Sequence, residues 1–276
     1  GNNSVHGGGM YLTQGGYVEM SNTLIADNEA SQKGGGIGVI DGTPPILDGV
    51  TVANNTAPIG AGLYFFNGGS ATITNSIVVG NIGGDAQATI VDYLGVTTIN
   101  ISYSNFEGGE SEFNVDNSEL YSILWGDGNI DVDPKFVLAD SSNYHLLASS
   151  LCINSGHPDS TDADGTRLDM GAYPYLNDYD GGIDSNWWVS ADDGSDITGT
   201  GENFNPFASV QAGLNFAHDN GTVIVSNGLY QENVIWPDYT KKMGVNLIGN
   251  DMHNTIIDGG GIGTVMHVEW VDTTSY

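Results

Sequence analysis

The sequence predicts an all-β fold, a parallel β-helix in which short strands stack rung upon rung. Three observations predict it. The first is a glycine marker: "GGG" centred on Gly8, "GGG" centred on Gly35 and "GAG" centred on Ala61 stand 27 and then 26 residues apart. The second is an asparagine marker with the same spacing, Asn28, Asn55 and Asn81, in "IADN", "VANN" and "VVGN". Two markers that keep one period indicate a solenoid repeat. The third is the text between the markers. "MYL", "YVEM", "TLIA", "IGVI", "PILDGVTVA", "LYFF" and "ATITNSIVV" are short runs rich in Val, Ile, Thr and Tyr, cut by Gly, Asn and Asp. That is the pattern of strands and turns, with no sustained 3.6-residue period.

A period of 26 or 27 residues holds about three short strands and three turns. Stacking such coils pairs each strand with its equivalent one coil away. The glycines, Gly8 and Gly35 among them, are expected where the chain bends with positive φ. Asn28, Asn55 and Asn81 are expected to form a ladder of side-chain amides between coils. A leucine-rich horseshoe, the rival solenoid, needs leucines at fixed phase and helical returns, and the sequence has neither.

Composition bounds the function. In 276 residues there are 34 Asp and Glu against 5 Lys and Arg, a formal charge of −29. Such a surface repels nucleic acid and anionic membranes. Cys152 is the only cysteine, so no intrachain disulfide forms, and its apolar setting "LCI" suits a buried thiol. No run of about 18 apolar residues exists to cross a membrane as a helix. The start has no basic stretch followed by an apolar one, which reads as a mature segment or a piece of something longer.

Beyond the repeat, Asn205 followed by Pro206 reads as a helix N-cap and first turn. Phe207, Val210, Leu214 and Ala217 then share one helical face, and Asn220-Gly221 closes the helix before the strand "TVIV". The acidic, Gly-containing stretch Asn177–Ser185 is the most linker-like in the chain. It divides residues 1–176 from residues 177–276.

The phrases "GGGMYL", "NTLIADNEA", "GGGIGV", "GVTVANNTA" and "GAGLYF" resemble the secreted bacterial right-handed β-helix proteins of the pectate-lyase-like superfamily. They are also similar to the Gly-Gly-x-Ile repeats of polymorphic outer-membrane proteins. Asp131–Tyr175, with the Asp-x-Gly-Ala-Tyr phrase at Asp169–Tyr173, looks like the segment that closes such domains. Trp187–Val234 is similar to the segment that opens them. The resemblance implies a right-handed β-helix and an unusual order: coils first, closing segment second, opening segment last. It therefore implies two partial β-helices joined through cap segments, with capped ends near residues 150–210 and uncapped ends at Gly1 and Tyr276. A slice of a tandem or polymeric array reads this way, and so does a circular permutation. Bare edge strands recruit further strands.

Lyases and hydrolases occur in the same superfamily, and each chemistry requires particular side chains. A lyase needs acidic residues holding calcium beside a Lys or Arg base. Lys33 reads as a solvated turn residue. Lys135, Arg167, Lys241 and Lys242 share no coil position with an acidic cluster. Asp41 and Asp48 flank a turn at Pro44-Pro45, without the recurrence of a lined cleft. His6 and His145 have no evident partner, and no nucleophilic triad, phosphate loop or zinc motif is present.

Metal is the stronger chemical expectation. Asp159, Asp162 and Asp164 precede Gly165, and Asp178, Asp180 and Asp184 surround a Gly pair, like the first half of a calcium loop. Position 12 of such a loop would be Val189, which excludes an EF-hand and leaves a looser calcium site or a solvated acidic linker. "DDGSD" at Asp192–Asp196 is a further candidate. Trp187, Trp188, Trp236 and Trp270 suit core packing or sugar stacking, with one of Trp187 and Trp188 facing inward.

The reading that follows is a structural subunit or repeat of an extracellular bacterial or archaeal filament or surface adhesin. It would form a homopolymer through neighbouring copies at both chain ends. Cell-surface or extracellular polysaccharide is a further partner class, and calcium the cofactor the acids suggest. The alternative is a carbohydrate-active enzyme or glycan-binding module.

Overall fold

The computed structural model describes residues 1–13, 17–41, 44–84, 87–91, 96–115, 120–175, 186–236 and 244–268. Parallel β-sheets stack as a β-solenoid, as the repeat predicts. By internal contacts the chain forms two compact units. The first comprises Gly1–Pro134, Leu138–His145 and Cys152–Pro174, and the second Lys135–Val137, Leu146–Leu151 and Tyr175–Tyr276. The expected linker, Asn177–Ser185, lies outside the described residues.

Three parallel sheets build the first unit. One stacks Asn3–His6, Glu29–Lys33, Thr56–Ala57 and Ile82–Gly83. The second stacks Met10–Thr13, Ile37–Ile40, Leu63–Phe66, Ala88–Val91 and Phe113–Val115. The third joins Glu19–Ala26 to Ile46–Ala53, and through it to Ala71–Thr74, Ile77–Val79, Thr97–Ser102, Asn105–Phe106 and Tyr121–Trp125. In the second sheet Met10, Ile37, Leu63, Ala88 and Phe113 are successive partners, so the sequence period is the rung itself. Val39, Phe65 and Ile90 from this sheet meet Leu47, Val52, Ile73, Ile99 and Ile101 from the third in one apolar core.

The bends differ from expectation by one residue. Positive φ falls on the first glycine of each phrase, Gly7, Gly34 and Gly60 at 58°, 65° and 56°. Gly8 and Gly35 are required for another reason. A Cβ on Gly8 would lie 2.5 Å from the Gly35 carbonyl oxygen, and one on Gly35 2.4 Å from that of Ala61. The middle glycine lets one rung approach the next; the first one turns the corner. Asp and Asn turn the other corners in the same left-handed region, in the columns Asp27, Asn54, Gly80 and Asn22, Gly49, Asn75, Tyr103.

The Asp-x-Gly-Ala-Tyr phrase docks on the third sheet. The Gly171 N–H donates to Asn75 O (2.7 Å) and the Ala172 N–H to Thr51 Oγ1 (2.9 Å). Gly171 has φ 99°, and a Cβ there would sit 2.7 Å from Ile77 Cδ1, so both conformation and space demand glycine. Cys152 is fully buried, as its apolar setting suggests.

In the second unit Asn186–Val189, Thr222–Val225 and Asn246–Gly249 form one parallel sheet. Gly228–Gln231 pairs with Thr255–Asp258, and Val234–Ile235 with Met266–His267. The helix is shorter than expected and starts later, at Val210–Phe216 with Ser209 as N-cap. Phe207 is extended and bridges Val189, donating its N–H to Trp188 O and accepting from Ser190. Asp196 holds the approach to the helix by accepting from the Ala208 and Ser209 N–H groups and from Ser209 Oγ. All seven helical residues are buried, because Gly213 lies against Val189 and Val223 while Asn215 Nδ2 donates to Ala148 O and Ser150 O. Trp187 is the inward member of its pair, among Phe207, Phe216 and His218.

Candidate functional site

The feature with the clearest potential for interaction is the first rung of the first unit. Its geometry follows from the asparagine ladder. Asp27 and Asn54, in left-handed conformation, turn the chain so that the next residue points inward. Asn28, Asn55 and Asn81 are accordingly buried. The Asn28 N–H and Nδ2 both donate to Asn55 Oδ1 at 3.0 Å. Asn55 donates in the same way to Asn81 Oδ1, at 3.0 and 2.9 Å. The second hydrogen of Asn55 Nδ2 goes to Ile25 O, so this amide is saturated in the dry interior.

The ladder is longer than its three sequence markers. Asn2 donates from its backbone and side chain to Asn28 Oδ1. At the other end Asn81 donates to Gln87 Oε1, and Gln87 Nε2 donates to Glu107 Oε2. A second ladder runs at another corner, where Val50 donates to Ser76 Oγ, Ser76 to Ser104 Oγ and Ser104 to Asn129 Oδ1. Sequence reading missed it because residue type changes from Ser to Asn along the column. A search for any short polar side chain at constant phase would have found it.

Among the described residues the strands Asn3–His6, Met10–Thr13 and Glu19–Ala26 are paired on one side only. Their inward residues Met10 and Leu12 are partly exposed, whereas Ile37 and Val39 one rung on are buried. A hollow of about 320 Å³ opens there, lined by Asn2, Gly9, Ile25 and Asn28 among others. Asn2 Oδ1 receives no hydrogen bond from a described residue. Among the described residues this rung is paired on one side, and its apolar residues are less covered than those one rung on.

The chemical candidates are placed as follows. Lys33 is not a free solvated charge: its Nζ donates to Tyr64 Oη at 3.1 Å and lies over the Tyr64 and Phe66 rings. Arg167 donates from Nε to Gly156 O (2.7 Å) and sits over Tyr103. His6 stacks on Tyr11 and His145 on Tyr173. Asp41 turns a corner with φ 47°, while Asp48 accepts from Thr74 Oγ1 and Asn75 Nδ2. Asp41 does not line the cleft that Asp48 does.

Asp48 instead lines a cleft of about 240 Å³ with Asp162 and Asp169, beneath the Asp-x-Gly-Ala-Tyr phrase. Asp162 Oδ2 accepts from the Asp169 N–H, and Asp164 Oδ1 accepts from the Thr166 N–H and hydroxyl, so both serve their own turn. Burial raises the Asp162 carboxyl to about 6; the Asp169 amide opposes this and the Asp164 charge adds to it. Among the described residues no three His, Cys, Asp or Glu side chains are arranged to hold a metal ion. Asp178, Asp180 and Asp184 lie outside the described residues, as do Trp270, Lys241 and Lys242. In the second unit Glu232 accepts from the Val210 and Gln211 N–H groups, and burial raises its carboxyl against those two bonds.

No protein-family model, curated protein sequence or solved structure matches this chain.

Proposed function

We propose that this chain is a structural repeat or subunit of an extracellular filament or surface adhesin, extended by adding β-solenoid rungs end to end. The observation that supports the reading is the side-chain ladder, in which each rung donates to the next from Asn2 through Asn28, Asn55 and Asn81 to Gln87, a pattern that any further rung of the same phrase would continue. The net charge of −29 suits a well-solvated exterior. The same reading places the chain among the secreted right-handed β-helix proteins that its repeat phrases resemble. Sedimentation velocity and negative-stain electron microscopy test it. Concentration-dependent oligomers and fibres are expected, and removal of residues 1–26 should weaken them. A chain that stays monomeric at every concentration sinks the proposal.

A second reading rests on the cleft. A carboxyl raised to about 6 beside two further carboxylates is an arrangement from which acid–base cleavage of a glycosidic bond can be built. On this reading Asp162 donates the proton. Release of reducing sugar from an acidic polysaccharide, abolished by Asp162→Asn, would favour it; no release from a panel of such polysaccharides removes it.

A further inference from the structure

The second sheet of the first unit carries an aromatic surface with one cation beside it. In the strand Leu63–Phe66, Leu63 and Phe65 enter the core, so Tyr64 and Phe66 face outward. Their rings lie nearly parallel, 18° apart, with centroids 6.3 Å from each other. Gly38 holds the outward position between Tyr11 and Tyr64 in the same column. A Cβ on Gly38 would stand 3.1 Å from Tyr11 Cδ2, so the missing side chain leaves room for the Tyr11 ring. That ring extends the surface across the rung between.

Lys33 Nζ stands at the edge of this surface, 5.1 Å from the Tyr64 centroid and 5.8 Å from that of Phe66. It donates one hydrogen bond, to Tyr64 Oη at 3.1 Å. An ammonium has three N–H groups, so two remain for a ligand. No carboxylate of a described residue pairs with Lys33, although the chain has 34 Asp and Glu. Lys33 is also the only Lys or Arg before Lys135. A half-buried cation with spare donors, set beside aromatic rings, suits an anion carried on an apolar ring face. A carboxylated sugar has both parts: a carboxylate for the ammonium and a C–H face for the rings.

The charge of the whole chain narrows the ligand further. A polyanion would bring many charges into the field of a chain at −29, against a single local cation. A glycan with one acidic sugar brings one charge to the one place built to hold it. Acids farther away act on it weakly, because the Debye length is about 8 Å at physiological ionic strength. Resting on the adhesin reading above, we infer that the Lys33–Tyr64–Phe66 surface binds a glycan ending in a single carboxylated sugar. Lys33 takes the carboxylate, and Phe66 and Tyr11 take the ring.

Saturation-transfer NMR on the full chain tests this, with sialyllactose as the probe and lactose as its neutral control. Sialyllactose is expected to bind with a Kd of about a millimolar, and lactose to give no transfer. Lys33→Met keeps the stem against the rings and removes the charge, so it should weaken binding about tenfold, while Lys33→Arg should retain it. Circular dichroism checks the fold of each variant. Equal transfer to lactose, or unchanged binding by Lys33→Met, overturns the site. Binding of heparin or alginate without binding of sialyllactose overturns the single-acid ligand. No binding of any of these overturns the inference, and fibres formed by the same sample would leave the filament reading standing. Sialyllactose binding by a chain that stays monomeric supports the site and removes the filament reading instead.

Discussion

Asn55 and Asn2 stand at the same phase of one repeat, and their situations differ in a single respect. Asn55 has a rung on either side; Asn2 has one below and none above among the described residues. Asn55 is fully buried, with its oxygen accepting twice and its amide donating twice. Asn2 is exposed and uses its donors alone. The same side chain is thus a saturated part of the interior in one rung and an unfilled acceptor in another. A repeat residue acquires its energetic weight from its neighbours in the stack, not from its place in the phrase.

The sharpest way to break this comparison is to truncate both amides. Asn55→Ala leaves the Asn28 donors and the Ile25 carbonyl without partners in a dry core, which should cost about 3 kcal/mol. Asn2→Ala should change the stability of the isolated chain by less than about 0.5 kcal/mol. Chemical denaturation measures both, and equal losses would show that the ladder is not what separates the two rungs.

Next in size is a test of direction. Gly8 and Gly35 each press on the rung below, and both have one, so Gly8→Ala should cost as much as Gly35→Ala, about 2 kcal/mol in each case. If Gly8→Ala were harmless, the first rung would be looser than its hydrogen bonds to Gly34 and Gly35 imply.

A smaller effect concerns the side of the stack rather than its end. The Asp162 carboxyl titrates near 3.9 in an unfolded chain and at about 6 in the folded one. Between those values the folded chain binds more protons, so this group's contribution to stability is full below about pH 4 and is lost as pH rises through 6. The side chain is half-exposed, and after allowance for solvent screening the change is about 1 kcal/mol. Melting temperature against pH should show a component that Asp162→Asn abolishes; an identical profile in the variant refutes the assignment.

The smallest effect belongs to the foot of the ladder. Glu107 is exposed and accepts from Gly80 N and Gln87 Nε2, so Glu107→Gln should cost roughly 0.5 kcal/mol. A loss as large as that of Asn55→Ala would mean that the whole line of amides depends on its terminal charge.

Much of the fold was legible because a solenoid writes its geometry as a period. Gly8 and Gly35, and Asn28, Asn55 and Asn81, mark the rung directly, and each does stack on its equivalent. Less was legible at the helix. Asn205 and Pro206 have the residue types of a helix start, yet pairing of Phe207 with the strand at Val189 keeps the chain extended as far as Ser209. The candidate site was only half visible. The sequence marks where Asn28 and Asn55 recur, but not that Asn2 heads the line or that Gln87 and Glu107 end it, because those residues break the spacing.

The sequence by itself determined the rung: its length, its three strands, its inward Val and Ile positions and its recurring Asn. These are local and periodic, and hydrophobic alternation with turn chemistry suffices to specify them. Only the tertiary structure decided which glycine turns and which merely makes room, how the closing phrase seats on Thr51 and Asn75, and which way the ladder points. Those depend on contacts between residues far apart in the chain, and an amide's direction is fixed only once the rungs on either side of it are in place.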